Sequence, residues 1–283
     1  MTTDTRTTHP NADTADDIET ASDAAWVDAG RAWGRNAADW AYRFEPYASD
    51  AIEAIFSRLG VTAGVDLLDI ACGAGYAASR AERRGAAVAG LDASAELIDI
   101  ARRRAAGADL VAGDMFALPW ADRSFDVATS FNGVWGGCTE ALIEARRVLR
   151  PNGAIGLTFW GPGHKLDLRD FFIALGSSTP AVADEMISLA SIGAPGVVEE
   201  MLSVAGFDRI ERWAATSILE FADADDAWRT MRSPGLVVPA LDHLGEEELR
   251  DRLMATIAPF GSPDGSIRIV NELTCVTART ADR

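Results

Sequence analysis

The chain has 283 residues, of which 48% are hydrophobic, so it is long enough to bury a sizeable core in one elaborated domain. Its formal net charge of -17 repels a phosphate backbone, which argues against a nucleic-acid partner. No apolar run reaches about 18 residues, and the N-terminus is polar and acidic, so we expect a cytoplasmic protein without membrane insertion. Cys72, Cys138 and Cys275 lack metal-ligand spacing, and neither a disulfide framework nor a metal site is predicted.

The N-terminal part of the chain divides into a polar segment and a helical one. Residues 1–22 are rich in Thr, Asp and Ala with little to bury, which predicts a disordered tail. Residues 23–62 are predicted to be helices that cover the ligand site. Within them Trp26, Trp33 and Trp40 fall seven residues apart, near one helix face, a spacing that fits packing on the core or a substrate wall.

From Val65 onward, short apolar runs alternate with helical stretches, as in a mostly parallel sheet covered by helices. This predicts an α/β fold with a doubly wound, seven-stranded sheet and a ligand crevice at the carboxyl ends of the strands. A turn at Pro151-Asn152-Gly153 is expected to precede the fifth strand. Segments at about 161–193 and 222–264 are longer than crossovers need and predict helical lid insertions. The predicted strands are Asp66–Ala71, Ala86–Leu91, Asp109–Ala112, Phe125–Phe131, Ala154–Trp160, Arg209–Phe221 and Ile267–Arg279.

The most informative motif joins the first predicted strand to the following helix. It reads Asp69-Ile70-Ala71-Cys72-Gly73-Ala74-Gly75-Tyr76, an acid near the strand end followed by a glycine-rich turn. Glycines let the backbone approach a ligand closely. Gly73, Gly75 and Ala78 also satisfy the G-x-G-x-x-A pattern of dinucleotide sites, so a nicotinamide cofactor stays open at this point.

Two further acids follow the next two strands. Asp92 lies about twenty residues beyond the first glycine of the turn, where a carboxylate can accept hydrogen bonds from ribose hydroxyls. Asp114 follows the third strand, where it can meet an adenine amino group while Met115 packs on the ring. A dinucleotide site also predicts the acid at Asp92 but has no standing need for Asp114. The pair therefore favours an adenosyl ligand of another kind.

With these residues, the sequence resembles the class I S-adenosylmethionine (SAM)-dependent methyltransferases, especially the bacterial group similar to ubiquinone and menaquinone methyltransferases. The resemblance covers roughly residues 67–160. It rests on the order and spacing of the turn after the first strand, Gly90-Leu91-Asp92, Asp114 with Leu118-Pro119, Ser124-Phe125-Asp126-Val127, and Arg147-Val148-Leu149-Arg150-Pro151-Asn152-Gly153. It implies a methyltransferase domain over residues 63–283.

The resemblance also implies the cofactor and its contacts. The turn would lie against the methionine and ribose portions of SAM, with Asp69 holding the loop and the amino group, Asp92 the ribose and Asp114 the adenine. The full expected cofactor set is Asp69, Ala71, Gly73, Gly75, Asp92, Ala93, Asp114, Met115 and Phe131. After the fourth strand, the chain lacks the N-P-P-Y or D-P-P-Y and Pro-Cys sequences used on DNA bases, so we expect a small-molecule acceptor.

The acceptor is expected to be apolar or aromatic. Several tryptophans fall in segments that should border the crevice or its lid, and with Asn132 they form the predicted substrate set of Trp33, Trp40, Asn132, Trp135, Trp160 and Trp228. Methyl transfer by in-line displacement needs little beyond positioning, but a hydroxyl acceptor gains from a general base. The candidates are His164 and His243, both of which also fit ordinary surface histidines.

Three functions are compatible with these residues. A small-molecule methyltransferase is favoured, a nicotinamide-dependent oxidoreductase shares the glycine pattern, and a SAM-binding protein without methyl transfer would share the whole cofactor site. The sequence leaves a homodimer open.

Overall fold

The apolar runs from residue 66 to the C-terminus form the strands of one sheet. The computed structural model describes residues 15–281, with side chains from Ala25 onward. The strands are β1 (Asp66–Ile70), β2 (Ala87–Asp92), β3 (Asp109–Ala112), β4 (Phe125–Phe131), β5 (Leu149–Trp160), β6 (Phe207–Phe221) and β7 (Ile267–Thr280). Six of the seven begin within two residues of the predicted positions, because buried runs of this kind are a local signal.

Helices precede β1 and lie between successive strands, except between β3 and β4. They are α1 (Ala15–Gly34), α2 (Ala37–Asp39), α3 (Ser49–Leu59), α4 (Tyr76–Arg83), α5 (Ala95–Arg104), α6 (Thr139–Val148), α7 (Arg169–Gly176), α8 (Pro180–Ser191), α9 (Val197–Val204), α10 (Ala224–Met231), α11 (Val238–Leu244) and α12 (Glu246–Ile257). Trp40–Phe44 is a π-helical turn, and 3-10 turns occupy Glu45–Ala48, Gly163–Lys165, Gly235–Val237 and Ala258–Phe260.

The strand order is β3-β2-β1-β4-β5-β7-β6. The pairs among β1 to β5 are parallel, whereas β7 runs antiparallel to both β5 and β6. The predicted α/β fold with a doubly wound, mostly parallel, seven-stranded sheet is therefore confirmed. The chain order reverses direction between β1 and β4, and this is the position where open α/β sheets bind ligands.

Alternating residues of the strands build two cores on opposite faces of the sheet. Leu67 of β1 and Val88 of β2 join the core on one face, with α3, α4 and α5, while Leu68 and Leu91 join the core on the other, with α6 and α9. All four side chains are buried. This two-sided burial explains why the central strands read as nearly continuous apolar runs.

Two predicted boundaries differ from the structure. Strand β5 begins at Leu149 and includes the segment predicted as the turn Pro151–Gly153. That segment is irregular, since Asn152 has φ of 63° and the pairing shifts register between Phe125 and Val127, so a turn-like sequence continues the strand. Helix α1 begins at Ala15, within the tail predicted to extend to residue 22. The alanines of this stretch favour a helix. The rest of the predicted tail, residues 1–14, lies outside the described residues.

The two segments expected as lid insertions are helical. The first contains α7 and α8, and the second contains α10, α11 and α12 between the two strands at the β6 edge. Within residues 15–281, no helix has the length and apolar character required to cross a bilayer.

Candidate functional site

The turn after β1 contains three residues with left-handed backbone conformation. Ala71 has φ of 54° and Gly73 has φ of 55°, the region that favours glycine. A Cβ added at Gly73 would lie 2.7 Å from Oε1 of Glu45, so this position has no room for a side chain. Gly75, with φ of 76°, precedes α4, and a Cβ there would lie 2.8 Å from Ala101. The first glycine therefore lies at the ligand side of the turn and the second allows close packing on α5.

Asp92 closes β2 directly beside this turn. Its Oδ2 accepts a hydrogen bond from the N–H of Gly73 over 2.8 Å, and its Oδ1 accepts one from the N–H of Ser94 over 2.9 Å. Burial raises the pKa of Asp92, and these two backbone donors oppose that rise. The carboxylate is thus fixed between two loops, with its remaining lone pairs available to a ligand.

Asp69 is almost fully buried inside β1, one residue before the strand ends. Its Oδ1 accepts a hydrogen bond from Oγ1 of Thr129 over 2.8 Å, and its Oδ2 has no partner among the described residues. Burial, together with the charge of Asp92, raises the pKa of Asp69 to about 7, and the hydrogen bond from Thr129 opposes this rise. An unpartnered buried carboxylate oxygen is costly, and a cationic ligand group beside it would relieve the cost.

Asp114 and Met115 follow β3, as the sequence predicts. Oδ1 of Asp114 accepts a hydrogen bond from the N–H of Phe116 over 3.0 Å, so this acid braces its own turn. Both residues also line a cavity, which they share with Ala93, the residue after Asp92. The brace leaves Oδ2 of Asp114 for a ligand.

The cavity has a volume of about 520 Å³ and lies at the carboxyl ends of β1, β2 and β4, next to Ala71, Asp92 and Phe131. This volume is within the range of small-molecule sites. Its lining includes most of the expected cofactor set, namely Ala71, Gly73, Asp92, Ala93, Asp114, Met115 and Phe131. Asp69 lines a smaller adjoining cavity, which Glu45 and Tyr76 also border. Gly75 lines neither, because it packs on α5.

Aromatic rings form most of the opposite wall. Trp40 lies edge-on to Trp33, with ring centroids 4.8 Å apart, and stacks on Phe44 at 5.0 Å. The row continues through Tyr47, which stacks on Trp160 at 5.1 Å. All five rings line the cavity, as do Trp26 and Trp135. The tryptophan stripe of the N-terminal segment therefore borders the cavity as well as packing on its neighbours.

Several polar atoms at the cofactor end lack a partner within the described part of the chain. They are buried and include Nε1 of Trp40, Nδ2 of Asn132 and Oδ2 of Asp69. Asn132 has φ of 58°, and its Oδ1 accepts a hydrogen bond from Oγ1 of Thr158 over 2.7 Å, which fixes the amide orientation. A ligand with both an ammonium and a carboxylate group would satisfy donors and acceptors of this kind. These unpartnered donors and this acceptor thus fit the amino-acid end of a cofactor.

Three predicted site residues lie away from the cavity. His164 is exposed, in a loop that the N–H of Gly161 joins to β7 by donating to the carbonyl of Glu272 over 2.8 Å. His243 is exposed on α11, whose inward face is formed by other residues. Trp228 is buried in α10, and its Nε1 donates to Oε1 of Glu246 over 3.1 Å. Contrary to the sequence-based prediction, none of these three side chains lines the cavity, because the position of each depends on how the helical insertions pack.

The structure also brings residues to the site that the sequence did not reveal. Glu45 accepts a hydrogen bond from the N–H of Ala74 over 2.8 Å and pairs with Arg104 over 2.5 Å. Arg104 is mostly buried. Tyr47 joins the aromatic wall, and burial together with the charge of Glu45 raises the pKa of its hydroxyl. Glu185 of α8 lines the cavity too. Ser188 and Leu189 line the cavity from the same face of α8, an arrangement that depends on how this helix packs and that the sequence alone does not reveal.

Comparisons with known proteins agree with this architecture. Residues 68–157 match the sequence family described as methyltransferase domain. Malonyl-[acyl-carrier protein] O-methyltransferase from Dechloromonas aromatica is 33% identical over 172 residues, which cover 60% of this chain and 62% of that protein. Demethylmenaquinone methyltransferase from Renibacterium salmoninarum is 34% identical over 103 residues, covering 36% of this chain and 44% of that protein. The chain thus matches less than two thirds of the length of either relative.

A solved structure shows the same fold. The YcgJ protein from Bacillus subtilis has a TM-score of 0.56 and 18% identity to this chain, and the match covers 82% of this chain and 99% of that one. At this identity the likeness concerns architecture. Together, the match of residues 68–157 to a methyltransferase domain and this shared architecture support the class I methyltransferase fold.

Proposed function

We propose that this protein transfers a methyl group from SAM to a small, flat, apolar or aromatic acceptor. The observation that carries the proposal is the cavity itself, which joins the acidic ends of β2 and β3 to an aromatic wall. One end offers carboxylates and a glycine turn, and the other offers rings without a basic side chain among its described lining residues. A cofactor and an apolar acceptor can therefore meet in one enclosed space.

Different residues of the cofactor end would bind different parts of SAM. Asp92 is held by the backbone of Gly73 and Ser94, so it is already oriented to accept hydrogen bonds from ribose hydroxyls. Asp69 offers its unpartnered Oδ2 to the ammonium group, and Trp40 offers its unpartnered Nε1–H to the carboxylate. Asp114 and Met115 border the adenine position. Each role uses an atom that the protein leaves unsatisfied or a group that it has fixed in place.

The reaction requires mainly positioning. SAM, when bound, supplies an electrophilic methyl group on a sulfonium. The aromatic wall excludes water and confines the acceptor, which raises the fraction of time that the nucleophile lies in line with the methyl group. The faces of Trp40, Tyr47 and Trp160 also stabilise positive charge through their ring quadrupoles. We assign no basic role to His164 or His243, since both lie outside the cavity.

The relatives support a methyltransferase and leave the acceptor to be determined. One is named for demethylmenaquinone and suits the flat, apolar acceptor proposed here. Another is named for a malonyl group on acyl-carrier protein, yet the lining of this cavity in the described residues contains acids and no base. We therefore favour an uncharged ring over an anionic acyl acceptor for this chain.

Cofactor binding is tested by thermal shift and calorimetry with SAM, S-adenosylhomocysteine, NAD and NADP. A ligand at one hundred times its dissociation constant stabilises a protein by about 2.7 kcal/mol, which is readily detected. Stabilisation by SAM and not by the nicotinamide nucleotides is expected. Stabilisation by NAD or NADP alone would replace our proposal with an oxidoreductase.

Methyl transfer is tested separately, by release of S-adenosylhomocysteine with a panel of phenols, hydroquinones and aromatic amines. Turnover with a ring acceptor is the expected result. Tight SAM binding with no turnover across the panel would indicate a SAM-binding protein that lacks transferase activity.

A further inference from the structure

Among the acids that line the cavity in the described residues, Glu185 is the one to which no contact with the cofactor has been assigned. It lies on α8, within the first helical insertion, and lines the cavity together with Ser188 and Leu189 from the same helix face. Helix α8 is fixed to the loop after β4, because Gly136 donates to the carbonyl of Ser188 over 3.2 Å and Oγ of Ser188 donates back to the carbonyl of Gly136 over 2.8 Å. This pair of bonds holds the helix face, and Glu185 with it, against the cavity.

These bonds hold the loop after β4 against α8. The loop carries Asn132, whose amide lies at the end of β4, and Trp135, which is part of the cavity wall. Glu185 lies on the side of the cavity that the first helical insertion forms.

The carboxylate of Glu185 has no hydrogen-bond or ion-pair partner among the described residues. Glu185 is exposed overall, and the surrounding cavity wall desolvates its carboxylate enough to raise its pKa. Asp92 and Asp114, the other acids of the lining, are both occupied by backbone N–H groups. Glu185 is thus the lining acid whose acceptor oxygens are all available to a second ligand.

We propose that Glu185 binds the acceptor by accepting a hydrogen bond from an aromatic hydroxyl, and that it takes the proton of this hydroxyl during methyl transfer. This inference rests on the proposed function. An uncharged phenol enters an aromatic cavity with a smaller desolvation cost than an ammonium group, and the three acids of the lining repel a carboxylate or phosphate. A ring hydroxyl satisfies both conditions and carries a proton that a carboxylate can accept.

The step balances with the groups named. The acceptor oxygen forms a bond to the methyl carbon, and the carbon–sulfur bond of the sulfonium breaks, with its electron pair passing to sulfur. The hydroxyl proton passes to a carboxylate oxygen of Glu185 and then to solvent through the exposed part of the side chain. The products are an aryl methyl ether, S-adenosylhomocysteine and one proton.

The test uses four probes with the same ring system: 2-naphthol, 2-methoxynaphthalene, 2-naphthoate and 2-naphthylmethylammonium. Their dissociation constants are measured by tryptophan fluorescence on the full chain, with and without S-adenosylhomocysteine. The variant is Glu185→Ala, and Asp184→Ala serves as the matched control, because Asp184 is an exposed neighbour that does not line the cavity. If S-adenosylhomocysteine does not bind, the proposed function is contradicted. The probe series on the free protein tests the role of Glu185 independently of that result.

In the wild type, 2-naphthol should bind more tightly than the other three probes. Glu185→Ala should weaken 2-naphthol about 10- to 100-fold, the range expected for a hydrogen bond to a charged group, leave 2-methoxynaphthalene unchanged and tighten 2-naphthoate. The control should match the wild type. Equal weakening of 2-naphthol and 2-methoxynaphthalene, tightest binding of the ammonium or the carboxylate probe, or no binding by any probe would each overturn the proposal.

Discussion

Glu45 accepts a hydrogen bond from the backbone N–H of Ala74 over 2.8 Å, although the two residues are far apart in the chain. The same carboxylate pairs with Arg104, which also donates to the carbonyl of Ala74 over 3.1 Å. The glycine turn is thus held from both sides by a pair that bridges the N-terminal helices and α5. Since both side chains are largely buried, breaking the pair leaves an uncompensated charge.

The Glu45→Ala variant should lose about 3–5 kcal/mol of unfolding free energy, the usual cost of removing one partner of a buried ion pair. Chemical denaturation measures this loss. The control is Glu211→Ala, which breaks the exposed pair with Arg58 and should change stability by less than about 1 kcal/mol. Equal effects of the two substitutions would show that the pair at Glu45 does not hold the turn.

Asp92→Asn should weaken SAM binding by about 10- to 100-fold, because it removes a charged acceptor from the ribose position. The amide also places its NH₂ group against one of the two backbone N–H groups, of Gly73 or Ser94, that donate to the carboxylate in the wild type. Isothermal titration calorimetry gives the affinity. Asp99→Asn on α5 removes an exposed acid and should bind SAM as the wild type does. Unchanged affinity in Asp92→Asn would remove this residue from the cofactor site.

SAM affinity should rise with pH up to about 7 because of Asp69. Burial raises the pKa of Asp69 to about 7, so the free protein holds a proton there below that pH. An ammonium group beside the carboxylate stabilises its ionised form, so binding releases the proton and becomes tighter, by up to about tenfold per pH unit, until Asp69 is already ionised. Calorimetry in two buffers of different ionisation enthalpy counts the protons released. In Asp69→Asn, this pH dependence and proton release should be lost.

Asp69 should also make the free protein less stable as pH rises. A carboxyl whose folded pKa lies above its unfolded value binds more protons in the folded state, so its stabilising contribution is complete below about pH 4 and is lost as pH rises through about 7. The change is at most about 4 kcal/mol for a shift of this size. Denaturation between pH 5 and 8 should show this fall in the wild type and in Asp66→Asn, an acid at the exposed start of β1. It should be smaller in Asp69→Asn, and parallel curves for all three proteins would contradict the assignment.

The sequence predicted those parts of the molecule that depend on local pattern. Buried apolar runs located the strands, and chain order in a parallel sheet then placed Asp92 and Asp114 at one edge, since successive strands end on the same side. The roles of Glu45 and Glu185 were not visible, because each depends on how a distant helix packs over that edge. His164 was misplaced for the same reason, since backbone bonds to β7 decide where its loop runs.

Helix α1 covers the cavity through a close approach at Gly30. This residue is buried, and a Cβ there would overlap the carbonyl oxygen of Ala93, the cavity residue that follows Asp92. Replacing glycine by alanine inside a helix normally stabilises it by about 1 kcal/mol. At Gly30 the alanine should instead lower the free energy of unfolding by about 1–3 kcal/mol, because the overlap forces either α1 or the loop after β2 to move.

Gly30→Ala should therefore lower the melting temperature and weaken SAM binding together, since the displaced loop contains Ser94, whose N–H orients Asp92. The matched control is Gly163→Ala, where the added Cβ would lie 3.6 Å from Arg169, an ordinary contact. Thermal unfolding and calorimetry on both variants test the pair. A Gly30→Ala protein as stable as the control, with wild-type SAM affinity, would show that α1 does not press on the cofactor loop. A stability loss without an affinity loss would place the strain in α1 and leave the loop after β2 unmoved.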